Sequence, residues 1–409
     1  MTVTRRTFLA GTGSVAMAAL FPAPAVAQPK PVRIGLLTVK TGPLAQGGIQ
    51  MEQGTFRFLK DRNFTMAGRK VELVVGDTGG NPAGTKTKTQ ELVERDNVDF
   101  IFGPLAAFEL LAISDYATQA KVPIFSLAAA EDMTQRKPNP YFVRASATSS
   151  QNMHPLADYA AKELKFKRII TIADDFAFGH EQMAGFQRVF EDAGGKIVKK
   201  LWPPLVTPDY TPYIAQISGA DAVVQGFAGS NPLKFMKQYR DAGAKFPVLG
   251  GGPAGDDALL KSYGDEAVGM ISCSFYTNDL DTPSNKRLID GMVKDYGNIP
   301  GLYAAGLYIN GMVAEAALEK TGGKTDDREA FNKALRAVNL TDTPRGPLSF
   351  DHLGNNVGNF YIRRTERKGD KLVNTTIKTY PKVSQFWTYD EKTFLSQPVY
   401  SRDFPPLKS

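Results

Sequence analysis

The sequence predicts an α/β protein built from two doubly wound, Rossmann-like lobes. Short apolar segments alternate with segments of helical period, this order starts again after residue 150, and glycine-rich turns follow most of the apolar segments. Continuous apolar strands joined by helices are typical of parallel sheets covered on both faces. Ligands bind such sheets outside the carboxyl ends of the strands.

The first predicted lobe opens with a strand over residues 32–37 and a helix over residues 46–61. A strand ending at Asp77 follows, and then an amphipathic helix whose apolar positions are three and four residues apart. The next predicted strand, helix and strand cover residues 98–103, 109–121 and 122–127.

The second predicted lobe repeats this order. Its strands cover residues 166–174, 194–202, 220–227 and 246–251. Beyond Tyr276 the sequence favours two long helices, over residues 283–297 and 303–322, and then a strand-rich tail. This helix pair is too short for a third domain, so we expect the chain to cross back to the first lobe and return once more.

The first 27 residues are typical of an export signal. Arg5 and Arg6 precede a weakly apolar stretch that reaches Leu20, and the small residues ending at Ala27 fit a cleavage site. The paired arginines favour the twin-arginine route, with the general secretory route as the alternative. We therefore expect a periplasmic protein. No later segment reaches the roughly 18 apolar residues of a membrane span.

Composition excludes several function classes. The formal net charge is +7, or +5 without the two arginines of the leader, and the basic residues are too dispersed for a nucleic-acid binder. Cys273 is the only cysteine and stands in apolar surroundings typical of a core. The three histidines lack the spacing of zinc ligands. We expect no metal, no cofactor and no nucleic-acid partner.

Residues 250–255, Gly-Gly-Gly-Pro-Ala-Gly, match the G-x-G-x-x-G pattern of dinucleotide-binding loops. A true fingerprint follows the first strand of its domain and has an acidic residue about 20 positions later. This one follows the fourth strand of the second lobe, and Met270 stands where the acid is needed. An oxidoreductase is therefore a minor alternative. The sequence also lacks the nucleophile elbow, the P-loop and H-E-x-x-H, so we expect no enzymatic activity.

Small or glycine-rich loops follow three predicted strands in each lobe. They cover residues 40–48, 102–108, 126–132, 173–180, 225–231 and 250–257. Any one of them is explained by an ordinary tight turn. Six such loops in two repeats predict a ligand-binding cleft between facing lobes.

The sequence resembles the periplasmic solute-binding proteins of the branched-chain amino acid type, which serve ABC transporters. The similarity covers nearly all of the mature chain. It rests on VRIGLLTVKTGPLAQGG, VDFIFGP, AISDYATQAKVPIFS, DYTPYIAQISGADAVVQGF, YAAGLYINGMVAEAAL and RGPLSFDHLGN. The resemblance implies the type I periplasmic-binding-protein fold, in which three crossover strands join two lobes that close on a ligand.

The resemblance also implies the domain organisation and the partners. Lobe 1 comprises residues 28–147 and 277–350, lobe 2 comprises residues 148–276 and 351–409, and the crossovers lie near residues 145–148, 275–277 and 351–354. The expected partners are a small solute and an ABC permease with its ATPase in the inner membrane, and the protein is expected to be a monomer. An amide or solute sensor domain shares the fold and is the alternative.

The groups with which the family holds an α-amino acid are missing at the matching positions. Members that bind leucine or valine hold the α-carboxylate with a hydroxyl and a threonine, which correspond to Ala107 and Ala130. The acid that pairs with the α-ammonium corresponds to Ala254. A buried ammonium without a partner costs several kcal/mol or loses its proton. We therefore expect a hydrophobic or aromatic carboxylate, with branched-chain or other amino acids as the alternative.

The aromatic positions also differ. An aromatic of the first loop corresponds to Gly47, which predicts a larger pocket, and two tyrosines of the second lobe correspond to Phe178 and Phe227. These rings, with Tyr276 or Tyr303, are expected to contact the ligand, although core packing explains Phe178 and Phe227 equally well. Backbone N–H groups of residues 128–130 are expected to receive a ligand carboxylate. The predicted ligand contacts are Gln46, Gly47, Leu105, Ala107, Ser126, Ala128, Ala129, Ala130, Phe178, Phe227, Gly252 and Ala254.

Overall fold

The first sheet is formed by strands close to those predicted for the first lobe. A computed structural model describes residues 29–207 and 209–408, so the predicted export signal lies outside the described residues. The strands are β1 (Val32–Thr38), β2 (Thr65–Met66), β3 (Arg69–Asp77), β4 (Phe100–Phe102), β5 (Ile124–Phe125) and β6 (Phe142–Val143). Within residues 29–150 they form a six-stranded sheet in the order β2-β3-β1-β4-β5-β6, parallel except for the β2–β3 hairpin.

Helices cover this sheet and explain its continuous apolar strands. They are α1 (Ala45–Asp61), α2 (Pro82–Gln90), which is extended by a π-helical turn (Glu91–Arg95), and α3 (Ala107–Ala120). All three residues of β4 have no exposed surface, as expected for a strand that is covered on both faces of its sheet.

The second lobe repeats the alternation of strands and helices. Its elements are α4 (Met153–Lys162), β7 (Arg168–Ala173), α5 (Ala177–Asp192), β8 (Lys196–Leu201), α6 (Thr211–Ile214), β9 (Ala222–Gly226), α7 (Asn231–Asp241), β10 (Val248–Gly250) and β11 (Ile271–Ser274). Strands β7 to β11 pair in parallel, with β8 at the edge and β7, β9, β10 and β11 following in that order. The prediction of an α/β fold with two doubly wound lobes is confirmed.

The chain then returns to the first lobe. The helices of this segment are α8 (Pro283–Tyr296), α9 (Leu302–Lys320) and α10 (Arg328–Arg336). Helices α8 and α9 pack against α1. None of the helices within residues 29–207 and 209–408 is long and apolar enough to cross a membrane.

Strand pairing places the final return to the second lobe before the lobe boundary predicted at residue 350. The last elements are β12 (Asn339–Leu340), β13 (Leu348–Phe350), β14 (Asn356–Lys368), β15 (Lys371–Val383) and α11 (Glu391–Ser396). Strands β12 and β13 belong to the segment 277–350 that was assigned to lobe 1, but they extend the second sheet through β14, which pairs with β11. The return to the second sheet therefore precedes Asn339, because β13 and β14 form an antiparallel hairpin whose backbone groups satisfy each other.

Arg345 ties the crossover segments together. Its guanidinium has no exposed surface, donates to the carbonyl oxygens of Ala145 and Ser146, each at 2.6 Å, and lies 5.0 Å from the ring centre of Phe275. Burial lowers the pKa of Arg345 to about 9. Since a buried charge is costly without hydrogen bonds, these contacts fix the base of the cleft.

The packing of α1 on α9 depends on Gly54. A Cβ atom at this position would lie 2.1 Å from the carbonyl oxygen of Ala304 in α9. We expect Gly54→Ala to lower the free energy of unfolding by about 1–3 kcal/mol, because backbone atoms must move apart to admit the methyl group. Urea denaturation measures this change. Gly76→Ala is the control, since its Cβ would meet ordinary contacts of 3.4 Å or more, and an equal loss in both variants would contradict the steric explanation.

Candidate functional site

A cavity of about 60 Å³ lies between the two lobes. All six predicted loops contribute to its wall, together with residues that follow β6 and β11 and the start of α9. The lining residues are Leu44, Leu105, Ala106, Ala107, Leu127, Ala129, Ser146, Ala147, Asn152, Phe176, Phe178, Ala228, Gly252, Pro253, Phe275, Leu302 and Tyr303. None of these described residues carries a charged side chain, so the cavity is suited to an apolar ligand body.

Direct contacts join the two lobes beside the cavity. The Ser230 N–H of lobe 2 donates to the carbonyl oxygen of Pro43 in lobe 1 at 3.1 Å. The Asp256 carboxylate of lobe 2 accepts from the Leu302 N–H at the start of α9 and from Gln50 Nε2, each at 2.9 Å. The structure is therefore a closed arrangement of the lobes.

Aromatic rings form one side of the cavity. Phe176 and Phe178 stack with ring centres 5.9 Å apart, and Phe176 meets Phe108 of the other lobe edge to face at 5.6 Å. Phe275 and Tyr303 complete the aromatic part of the wall. Such arrangements suit a flat aromatic ligand, because offset and edge-to-face ring pairs are the favoured geometries.

Two helices from opposite lobes begin at the cavity. The residue before α3 is Ala106 and the residue before α5 is Phe176, and both line the wall. Neither side chain has an acceptor, so neither caps the first-turn N–H groups of its helix. The Glu109 carboxylate accepts a hydrogen bond from the Ala106 N–H at 2.9 Å. The first-turn N–H groups and the helix dipoles make this end of the cavity favourable for an anion.

Two buried carboxylates near the cavity, those of Asp174 and Asp256, are already hydrogen-bonded. Asp174 accepts from the Ala228 N–H at 2.7 Å and from Asn231 Nδ2 at 2.8 Å, and burial raises the pKa of Asp174 to about 7. Burial also raises the pKa of Asp256, whose two oxygens bind Leu302 and Gln50. Neither residue lines the cavity. The described residues therefore provide no free carboxylate at its wall for an α-ammonium group.

Comparison with known proteins identifies the family. Residues 31–370 match the periplasmic binding protein family. The chain belongs to this family. Among curated relatives, Leu/Ile/Val-binding protein homolog 6 of Brucella suis biovar 1 (strain 1330) is 30% identical over 363 residues, which cover 86% of this chain and 92% of the relative. The resemblance and the fold predicted from the sequence are confirmed, and the family functions outside the cytoplasm.

Two solved structures are similar to this binding protein along most of its length. The first is a solute-binding protein of an ABC transporter from Rhodopseudomonas palustris BisB5 in complex with 3,4-dihydroxybenzoic acid, with 32% identity, a TM-score of 0.82 and coverage of 86% of this chain and 98% of that one. The second is a solute-binding protein from R. palustris in complex with benzoate, with 26% identity, a TM-score of 0.80 and coverage of 85% and 96%. Both are solute-binding proteins, which are not enzymes.

The binding protein brings five of the twelve predicted contacts to the cavity wall, which are Leu105, Ala107, Ala129, Phe178 and Gly252. Gln46 and Gly47 do not line the cavity. A Cβ at Gly47 would lie 2.8 Å from Leu105 Cδ1 and 3.2 Å from Tyr303 Cζ. These two side chains occupy the space that the glycine leaves, so the expected enlargement of the pocket does not follow from Gly47.

The other five predicted contacts have structural roles beside the wall. Ser126 Oγ accepts from the Ala128 N–H at 2.8 Å, and the carbonyl oxygens of Ala128 and Ala130 accept from Arg144. Phe227 packs edge to face on Tyr210 with ring centres 5.1 Å apart. Ala254 is buried in the same apolar cluster as Phe227. Tyr276 also stays outside the wall, and its hydroxyl binds Asn285 Oδ1 at 2.9 Å.

The glycine loop 250–255 does not open an α-helix. It leads into a 3₁₀ helix (Asp257–Ser262), whereas a pyrophosphate site needs the N-terminus of a full helix. Gly252 faces the cavity, and a Cβ at Gly250 would lie 2.4 Å from the Cβ of Ala254. The glycines thus serve close packing at the cleft.

Cys273 is buried in the core. Within the described ranges no three His, Cys, Asp or Glu side chains are grouped so that they could hold a metal ion.

The sequence missed several lining residues. Ser146 and Phe275 belong to the crossovers, and Asn152 precedes α4. Only their position in the sequence could have indicated them. Crossovers pass the base of the cleft, so a polar or aromatic residue in or beside a crossover is a candidate ligand contact.

Proposed function

We propose that this chain is the solute-binding component of an ABC transporter and that it captures an aromatic monocarboxylate between its lobes. The observation that carries the proposal is an uncharged, aromatic-lined cavity at which two helices without side-chain caps begin. The ring of such a ligand matches the aromatic wall, and its carboxylate matches the two helix starts. Solute-binding proteins that are 26–32% identical to this chain were solved with benzoate and 3,4-dihydroxybenzoate, which supports the same class of ligand here.

The carboxylate of the ligand lies at the start of α3 and α5. First-turn N–H groups near Ala107 and Phe178 donate to its oxygens, because they have no partner within their own helices. Two helix N-termini contribute favourable electrostatics, with no side-chain charge needed. In this proposal the ligand carboxylate is held by backbone N–H groups at the two helix starts rather than by those of residues 128–130.

The ring of the ligand packs against Phe176, Phe178, Phe275 and Tyr303. The cavity volume of about 60 Å³ is well below the roughly 150 Å³ of a protein cavity that holds benzene. The lobes must therefore stand somewhat further apart to admit even a single aromatic ring, which favours a compact ligand. This replaces the larger pocket expected from Gly47 by a compact one.

A branched-chain amino acid is the second candidate, because a curated relative with 30% identity is a Leu/Ile/Val-binding protein homolog. Its α-ammonium would need a carboxylate partner in the cavity. Asp174 and Asp256 have both oxygens engaged by N–H donors. An unpaired buried ammonium is costly, so the aromatic acid is favoured.

Delivery and export complete the proposal. The closed lobes present the solute to a membrane permease driven by its ATPase, and the chain acts as a monomer. The twin-arginine pattern at Arg5 and Arg6, with cleavage near Ala27, directs the chain to the periplasm.

A thermal-shift panel tests this function. We expect benzoate and its hydroxylated forms to raise the melting temperature, whereas leucine, valine and glutamate leave it unchanged. At a ligand concentration of about 100 times the Kd, binding adds about 2.7 kcal/mol of stability. A clear shift with leucine and none with any aromatic acid would overturn the ligand class while leaving the transport role in place.

A further inference from the structure

Two residues that line the cavity carry a polar atom without a hydrogen-bond partner in the described part of the chain. They are Ser146, through Oγ, and Asn152, through Oδ1. Ser146 is 2% exposed. Buried polar atoms are nearly always paired, so two orphans at one cavity point to a missing partner.

The backbone around Ser146 is fixed by other groups. Its carbonyl oxygen accepts from Arg345 at 2.6 Å and from Asn356 Nδ2 at 2.8 Å. The hydroxyl is therefore the part of this residue that is left for a ligand. A serine hydroxyl rotates freely and is both a donor and an acceptor.

The side chain of Asn152 is not needed to cap a helix. The segment that leads into α4 is capped one turn earlier, where Thr148 Oγ1 accepts from the Gln151 N–H at 3.2 Å and Gln151 Oε1 accepts from the Thr148 N–H at 3.1 Å. Asn152 has helical backbone angles, and its side chain makes no cap. Its Oδ1 atom is therefore left without a partner in this segment.

The two atoms require a particular kind of partner. Asn152 Oδ1 is an acceptor and needs a donor, and an ionised carboxylate has none to offer. A hydroxyl group has the chemistry that both residues need, because its hydrogen suits Asn152 Oδ1 and its oxygen can accept from Ser146 Oγ. The carboxylate of the ligand is held elsewhere, at the starts of α3 and α5.

We infer that Ser146 and Asn152 recognise a hydroxyl substituent, so that the preferred ligands are hydroxylated aromatic monocarboxylates. The inference rests on the proposed function, because it concerns the same cavity. A ligand without the hydroxyl leaves a buried acceptor and a buried donor unpaired. We expect it to bind on the order of ten- to a hundredfold more weakly.

Calorimetric titration of the full mature chain with benzoate and the three monohydroxybenzoates tests the inference. In the wild type we expect at least one hydroxybenzoate to bind tenfold or more tightly than benzoate. Ser146→Ala and Asn152→Ala should remove most of this preference by weakening the hydroxybenzoate, with benzoate nearly unchanged. Ser150→Ala is the control, because this serine belongs to the same segment but does not line the cavity, and it should keep the preference.

The outcomes separate the inference from the proposed function. Equal or tighter binding of benzoate by the wild type overturns the inference while the proposed function stands. Equal weakening of both acids by Ser146→Ala also overturns it, since the serine would then hold the common part of the ligand. Binding of none of the four acids overturns the proposed function and the inference together. Melting curves check that each variant is folded, and Ser146→Ala alone suffices if Asn152→Ala does not fold.

Discussion

Replacing Ala107 with aspartate is expected to weaken the binding of an aromatic carboxylate at least about a hundredfold, or about 2.8 kcal/mol. Ala107 is the first residue of α3 and lines the cavity. An aspartate there brings a second negative charge into a site with little water, and its oxygens compete for the same N–H groups. An acidic residue in the first turn of a helix is favourable, but Ala107 is 2% exposed, so melting curves check that the variant is folded.

Matched ligands and a matched variant isolate the charge. Ala107→Asn has almost the same shape without the charge, and we expect it to weaken benzoate binding about tenfold or less. Benzamide, which is neutral, should lose little more affinity in Ala107→Asp than in Ala107→Asn. Isothermal titration calorimetry measures all four combinations. The same loss of benzoate affinity in both variants would mean that the ligand carboxylate lies away from α3.

The alternation of side-chain directions along an extended segment explains which predicted contacts reach the cavity. Leu127 and Ala129 line the wall, whereas their neighbours Ala128 and Ala130 have their carbonyl oxygens on Arg144. Successive side chains in extended segments point to opposite sides, so a shift of one residue reverses every orientation. Motifs locate the loop correctly, but they do not fix which of two neighbouring residues faces the ligand.

The second lobe has the same one-residue differences. Ala228 lines the cavity where Phe227 was expected, and Pro253 lines it beside the expected Ala254. The ring of Phe227 instead completes an apolar cluster with Tyr210. Core packing and ligand contact both use a buried phenylalanine, so its residue type alone does not distinguish the two.

The size of the cavity could not be predicted from Gly47. Tyr303, more than 250 positions away in the sequence, fills the space beside it together with Leu105. Periodicity predicts helices and strands because it is local, whereas the volume of a pocket depends on contacts between distant segments. The two-lobed α/β fold was therefore predictable, and the shape of its cleft was not.

Replacing Glu181 with glutamine is expected to stabilise the protein at pH 8. Glu131 of the first lobe and Glu181 of the second lobe are buried side by side, with Glu181 accepting from the Glu131 N–H at 3.4 Å and from Ser149 Oγ at 2.5 Å. Burial raises the pKa of Glu131 to about 7, while burial and the charge of Glu131 raise that of Glu181 well above its ordinary value. The guanidinium groups of Arg136 and Arg144 offset only part of this effect.

The sign of the pH dependence follows from these shifts. Because both pKa values are raised on folding, these two groups bind more protons in the folded chain than in the unfolded chain, so their contribution to stability is fully present below about pH 4.5 and is lost as the pH rises. For Glu131 the loss extends to its folded-state pKa of about 7 and is on the order of 3 kcal/mol. Glu181 continues the loss above that pH. Ionisation of both carboxylates in the closed arrangement also repels one lobe from the other.

Glu181→Gln removes one of the two ionisable carboxyl groups and keeps an acceptor for Ser149. We expect its free energy of unfolding at pH 8 to exceed that of the wild type by about 1–3 kcal/mol, and its stability to change less between pH 5 and 8. Glu191→Gln is the matched control on the same helix, because Glu191 is buried but pairs with Lys408 at 3.5 Å rather than with another acid. Urea denaturation across this pH range is the measurement. If Glu181→Gln is less stable than the wild type at pH 8, the Glu181 carboxylate is ionised at that pH and is stabilised by its hydrogen bonds. Ionisation of this pair then does not drive the two lobes apart.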